Sequence, residues 1–124
     1  MAVHAAQEEG RWWAMDDAIV LVYATFPDVA SARETGGALV EARLCACVNI
    51  LPGMTSIYRW QDDIESASEV VLIAKTRKVL GEALVKALVE RHPYDVPAAL
   101  IVPVGGGNPD FCAWIRDETA GKGG

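Results

Sequence analysis

Apolar residues cluster in short runs along the chain, and the spacing of these runs predicts its elements. Residues 18–23, 70–74 and 99–102 are apolar at nearly every position, which is typical of strands buried on both faces. Residues 46–51 and 55–60 form a further β-type segment that Pro52 and Gly53 interrupt. We interpret this interruption as a β-bulge within one long strand.

Two stretches between the strands have helical periodicity, with apolar positions at intervals of three and four. The first follows Asp28, which we predict as its N-cap, and contains Gly36 and Gly37. Because glycine disfavours a helix, the pair predicts close packing of the helix on the sheet. The second stretch follows Thr76 and ends at His92 before Pro93.

The order of these elements predicts an α+β fold: a ferredoxin-like β-α-β-β-α-β sandwich with an extended β-hairpin. A loop at 105–109 precedes a short C-terminal helix, which Asn108 or Asp110 can cap. We divide the chain into a disordered N-terminal arm, residues 1–15, and one folded domain, residues 16–120.

The predicted sheet has an apolar face that two helices cannot cover. Both helices pack on one side, so the other side would expose a larger patch than monomers usually tolerate. Association of identical copies would bury it, and the long hairpin offers strand edges for pairing. The alternative, in which the hairpin folds over its own sheet, stays open.

Charge and cysteine content limit the classes of function. The net charge of −6 argues against a nucleic-acid partner, because phosphate binding needs clustered basic residues. Acidity is compatible with cation binding, although solubility alone explains it. The chain has three cysteines, and a domain of this size needs no disulfide for stability, which favours a reducing cytoplasm. The longest apolar run, residues 18–26, is too short to span a membrane, and the N-terminus lacks signal-peptide features.

Several segments of the chain together form a distinctive set. They are EARLCACVNI at 41–50, PGMTSIYRW at 52–60, KTR at 75–77 and HPYDVP at 92–97. Residues 23–28 and 111–115 add to this set, and the resemblance that it carries, to the CutA family, extends over residues 17–118. It implies a ferredoxin-like protomer, a compact homotrimer similar in architecture to PII signalling proteins, and a link to tolerance of divalent metals, copper especially.

The resemblance also directs attention to a metal site. In some family members the proposed copper ligands are a cysteine and two adjacent histidines, and the matching positions here hold Ala24, Arg91 and His92. His92 is therefore the candidate metal ligand, and we expect weak binding of copper or another divalent cation, with no cofactor required. The alternative is a structural role at a helix C-terminus. His4, in the arm, is treated as incidental.

Other candidate residues allow a ligand cleft or plain packing. Tyr58, Trp60, Lys75 and Tyr94 could line a cleft between subunits and hold a small anion, or could pack an interface. Ala98 stands where the family usually has Glu.

The three cysteines are interpreted as packing residues. Cys45 and Cys47 have the spacing of two ligands on one strand face, but they lie beside an apolar run. We therefore expect Cys45, Cys47 and Cys112 to be buried, free and slow to react.

Our leading hypothesis is a cytoplasmic, CutA-like divalent-cation tolerance protein that forms a homotrimer. We do not expect an enzyme, because no Ser-His-Asp or Cys-His arrangement can be recognised. The alternative is a PII-like regulatory module that binds a small anionic ligand between subunits.

Overall fold

The computed structural model describes Met15 and residues 17–121. Most of the predicted arm, including His4, lies outside the described residues, so the division into arm and domain remains a prediction. The described residues form four strands and three helices. In chain order these are β1 (Ile19–Phe26), α1 (Val29–Glu41), β2 (Cys47–Trp60), β3 (Asp63–Arg77), α2 (Gly81–Arg91), β4 (Ala99–Pro103) and α3 (Pro109–Glu118).

The element order confirms the predicted ferredoxin-like fold. The boundary before α2 differs from the sequence prediction, which began this helix after Thr76. Instead β3 continues to Arg77, and a 3₁₀ turn over Lys78–Leu80 precedes α2. Thr76 pairs with Val20 in the sheet, and its buried position extends the strand past the expected end.

The sheet is antiparallel, with strand order β2-β3-β1-β4. The pairing of β2 with β3 shifts register between Leu51 and Met54, and Gly53 has φ +83°, which confirms the predicted bulge. The pairing of β1 with β3 ends at Phe26 and Val70. Residues 63–69 of β3 therefore pair only with β2 within the described part of the chain, and the hairpin extends beyond β1.

Helix α1 begins and packs as its sequence predicted. The Asp28 carboxylate accepts a hydrogen bond from the Ser31 backbone N–H at 2.7 Å, which confirms the N-cap. A Cβ atom added to Gly36 would lie 2.8 Å from Cγ2 of Val48, so the glycine allows the helix to approach the sheet. Gly37 has no such neighbour within 4 Å.

The main core lies between the sheet and the helices α1 and α2. Its centre consists of fully buried side chains from β1, β3 and α2, among them Val22, Leu72, Leu84 and Leu88. Burial of each such side chain contributes about 1.5–3 kcal/mol to the free energy of unfolding. This core holds one face of the sheet against two helices, as predicted.

The other sheet face is only partly covered. Helix α3 covers one end of it, where Cys112 and Ile115 pack on Ile19, so three helices contact the sheet and not two. Beyond α3, Leu100 is 62% exposed and Val102 is 41% exposed. The hairpin does not fold over these residues, so that alternative is wrong.

None of the helices among the described residues combines the length and hydropathy that crossing a bilayer requires.

Candidate functional site

His92 lies at the end of α2 and connects it to β1. Its backbone N–H caps the helix at Val89, and its ring stacks on Phe26 with centroids 4.3 Å apart. Nε2 lies 2.7 Å from the backbone oxygen of Thr25, and Nδ1 lies 3.0 Å from the backbone nitrogen of Tyr94. The imidazole is therefore buried and bonded on both sides.

These contacts assign the tautomer of the ring. The Thr25 carbonyl oxygen can only accept, so Nε2 carries the proton and donates. The Tyr94 N–H can only donate, so Nδ1 accepts. His92 thus occupies the helix terminus as expected, but it acts there as a neutral imidazole and not as a cation paired with the helix dipole.

The surroundings of His92 hold few further metal ligands. Ala24 is buried in the core, and Arg91 is exposed. Among the described residues, no three His, Cys, Asp or Glu side chains converge as a metal site. A metal ion at His92 would have to replace one of the two hydrogen bonds, so copper binding there remains a prediction.

The cysteines occupy three different environments. Cys45 is 1% exposed just before β2, and burial, then neighbouring Cys47, raises the pKa of the Cys45 thiol to about 12. Cys112, on the side of α3 that packs on the sheet, is also buried. All three thiols are free, but Cys47 is only half-buried, because it lies on the edge strand β2.

A cavity of about 420 Å³ lies between the hairpin and the segment that leads into β4. Three of the four predicted cleft residues, Tyr58, Trp60 and Tyr94, line it. Ala98 also lines it, at the position where the family usually has Glu. The complete lining consists of Thr25, Tyr58, Trp60, Glu65, Ala67, Glu69, Tyr94, Val96 and Ala98.

Strand geometry explains how the hairpin wall of the cavity is built. Tyr58 pairs with Glu65 across the hairpin, so the two side chains share one sheet face. Trp60 follows Tyr58 by an even number of residues along β2, and Glu69 follows Glu65 by an even number along β3. Because side chains alternate between the two faces of a sheet, Trp60 and Glu69 point to the same face as Tyr58 and Glu65. Tyr94 forms the opposite wall, where its backbone bond to His92 holds it.

Lys75, the fourth predicted cleft residue, lies away from this cavity within the protomer. It is six residues from Glu69 along β3, a distance of about 20 Å between Cα atoms. Its ammonium donates to the Asn49 side chain and lies 5.7 Å from the centre of the Phe111 ring. The structure therefore brings three of the four residues together in one chain.

Two carboxylates in the cavity were missed by the sequence reasoning. Glu65 and Glu69 line it together with the aromatic rings. Burial, followed by the negative charge of Glu69, raises the pKa of the Tyr94 phenol. Counting strand alternation back from the hairpin turn would have placed Glu65 beside Tyr58. The cavity therefore has an acidic, aromatic lining.

The fold, the long hairpin and the cavity beside it define a class: ferredoxin-like α+β proteins with an extended hairpin. The family described as CutA1 divalent ion tolerance protein matches residues 20–118. The chain belongs to this family.

Relatives and solved structures agree with this assignment. The divalent-cation tolerance protein CutA of Pectobacterium atrosepticum is 41% identical over 81% of this chain and 90% of its own length. CutA from Xylella fastidiosa has a TM-score of 0.80 and 41% identity over 85% of this chain and 99% of that structure. The Thermus thermophilus protein has a TM-score of 0.79 and 40% identity, over 82% and 99% of the two chains.

Some relatives are longer than the matched region. The match spans 56% of the rice protein CutA 1, chloroplastic, which is 36% identical over 81% of this chain. It spans a similar share, 55%, of the Arabidopsis protein CutA, chloroplastic.

Proposed function

We propose that this chain is a divalent-cation tolerance protein that works as a homotrimer and catalyses no reaction. The observation that carries the proposal is the match of residues 20–118 to a family described by divalent ion tolerance. Bacterial relatives at 41% identity have names with the same meaning.

Exposed apolar surface supports the trimer. Leu100 and Val102 lie on the uncovered sheet face, and Ile57 and Ile64 near the hairpin tip are 74% and 62% exposed. The outer edges of β2 and β4 and one edge of residues 63–69 offer backbone groups for pairing. A stable interface buries about 800 Å² of accessible surface on each partner. The uncovered sheet face and these strand edges can supply that surface.

Weak contact with copper(II) or another divalent metal through His92 belongs to the same proposal. An imidazole is a common copper ligand, and His92 is the one histidine among the described residues. A cytoplasmic location is also proposed, since the three thiols are free. Relatives are named from other compartments, chloroplastic in rice and periplasmic in Archaeoglobus fulgidus.

Light scattering on a size-exclusion peak tests the assembly. We expect three times the protomer mass of 13.3 kDa at micromolar concentration. The Leu100→Glu variant places a charge on the uncovered face and should reduce the mass to that of a monomer. Val79→Glu, at a position 44% exposed beside α2, is the matched control and should stay trimeric. A wild-type monomer or dimer would contradict the trimer.

A thermal-shift screen of the purified protein tests the metal link separately. Copper or zinc should raise the melting temperature, because a ligand that binds only the folded state stabilises it. Nucleotides and organic anions form the comparison arm. Stabilisation by anions but not by metals would refute this proposal in favour of a PII-like anion sensor.

A further inference from the structure

The cavity beside the hairpin has the chemistry of a cation site. Its lining includes two carboxylates, Glu65 and Glu69, and no lysine or arginine among the described residues. Lys75, the one ammonium expected there, is held by Asn49 at the other end of the strand. An anion would therefore be repelled here, whereas a cation would be attracted.

The aromatic rings of the cavity reinforce the same preference. Tyr58, Trp60 and Tyr94 are 41%, 58% and 40% exposed, so part of each ring is accessible and does not pack in the core of the chain. The face of an aromatic ring carries partial negative charge and attracts ammonium groups within about 6 Å. The rings also give apolar surface on which methylene groups can pack.

His92 holds Tyr94, which forms one wall of the cavity, in place. His92 accepts the Tyr94 backbone N–H, and the two rings lie 4.9 Å apart. Thr25, whose backbone oxygen receives the other His92 bond, forms part of the lining. One wall is therefore fixed to the core, and the facing wall is the two-stranded hairpin.

The spacing of the two carboxylates selects among cations. Glu65 and Glu69 are four residues apart on one strand, so their Cα atoms are about 13 Å apart. A metal ion needs several ligands within about 2.0–2.6 Å, and among the described residues no three His, Cys, Asp or Glu side chains converge in this way. Two ammonium groups joined by a methylene chain fit this separation, and the 420 Å³ volume is within the usual range for small ligands.

We propose that this cavity binds a linear aliphatic polyamine. One ammonium group pairs with Glu65 and another with Glu69, and the methylene chain between them lies along Tyr58, Trp60 and Tyr94. The inference is independent of metal binding at His92, and it requires that neighbouring subunits leave the cavity open to solvent.

Isothermal titration calorimetry of the full chain with spermidine at low salt tests the proposal. We expect saturable binding with one spermidine per chain. The double variant Glu65→Gln/Glu69→Gln should bind about tenfold more weakly, since two partly exposed ion pairs are lost. The matched control is Glu82→Gln/Glu90→Gln, which removes two exposed carboxylates from α2 and should leave the affinity unchanged.

Further ligands and one further variant separate site binding from general attraction to an acidic protein. Butylamine, with a single ammonium group, should bind more weakly than spermidine, and added NaCl should weaken spermidine binding. Trp60→Leu keeps an apolar side chain but removes the ring, and should weaken binding about threefold.

Two results would overturn the proposal. Equal loss of affinity in the Glu82/Glu90 control would mean that spermidine responds to net charge alone. Absence of saturable binding at millimolar spermidine would mean that the cavity is no polyamine site, as expected if a neighbouring chain fills it. Circular dichroism and light scattering check that each variant keeps its fold and its assembly. A loss of spermidine binding in such a variant then reflects the change in the cavity.

Discussion

The imidazole of His92 donates a hydrogen bond of 2.7 Å to the backbone oxygen of Thr25, which is 67 positions earlier in the chain. This bond ties the end of α2 to the end of β1. Because the same ring accepts the Tyr94 N–H, it also positions the segment that leads into β4. His92 is thus a structural connection between α2, β1 and the segment that leads into β4.

Replacing His92 should destabilise the fold. The His92→Ala variant loses both hydrogen bonds and the stacking on Phe26, and leaves a buried cavity. We expect the free energy of unfolding to fall by about 2–4 kcal/mol in urea titrations at fixed protein concentration. Exposed Glu90→Ala is the control and should change it by less than about 0.5 kcal/mol. A His92→Ala change as small as the control would contradict the structural role.

Copper affinity should depend on His92 and should be low. A copper ion must displace a hydrogen bond of the ring, and the charge of neighbouring Arg91 repels it. Equilibrium dialysis of copper(II) should show weaker binding to His92→Ala than to its parent. His4→Ala in both proteins removes the other imidazole of the chain. If the two proteins bind copper equally well, the site is elsewhere.

Adjacent glycines in α1 should respond to alanine in opposite directions. Gly36→Ala places a Cβ atom 2.8 Å from Val48 Cγ2, so side chains or the helix must shift, and we expect about 1–2 kcal/mol of destabilisation. Gly37→Ala meets nothing within 4 Å and should stabilise the helix by about 0.5–1 kcal/mol. Urea unfolding gives the free energy of unfolding of both variants. A change of the same sign at both positions would refute the close packing of Gly36 on the sheet.

The three thiols should react at different rates. Cys47 is half-buried and should be labelled first by a thiol reagent in the native protein. Buried Cys45 and Cys112 should be labelled slowly in the native protein. Their labelling rates should approach those of denatured protein only after the chain unfolds. Because burial raises the pKa of the Cys45 thiol to about 12, only a small fraction is thiolate even at pH 9, so Cys45 should still react slowly there. Mass spectrometry of digested samples follows each site, and early labelling of Cys45 would contradict its burial.

Local sequence signals were sufficient for much of the fold. Apolar runs mark the strands, Asp28 caps α1, and Pro52-Gly53 marks the bulge, because each signal depends on the backbone preferences of a few neighbouring residues. The end of β3 was predicted too early, because the burial of Thr76 comes from its sheet partners and not from its own propensity.

The sequence by itself determined the order of elements, the family resemblance and the apolar face for which we predict a partner, since these follow from periodicity and residue type. Only the tertiary structure decided that Lys75 stands apart from Tyr58, Trp60 and Tyr94, and that Glu65 and Glu69 replace it. It also decided the bonding of His92, whose partner Thr25 is distant in the chain. Such contacts depend on strand register and on how elements pack, and no local pattern encodes the distance between residues far apart in sequence.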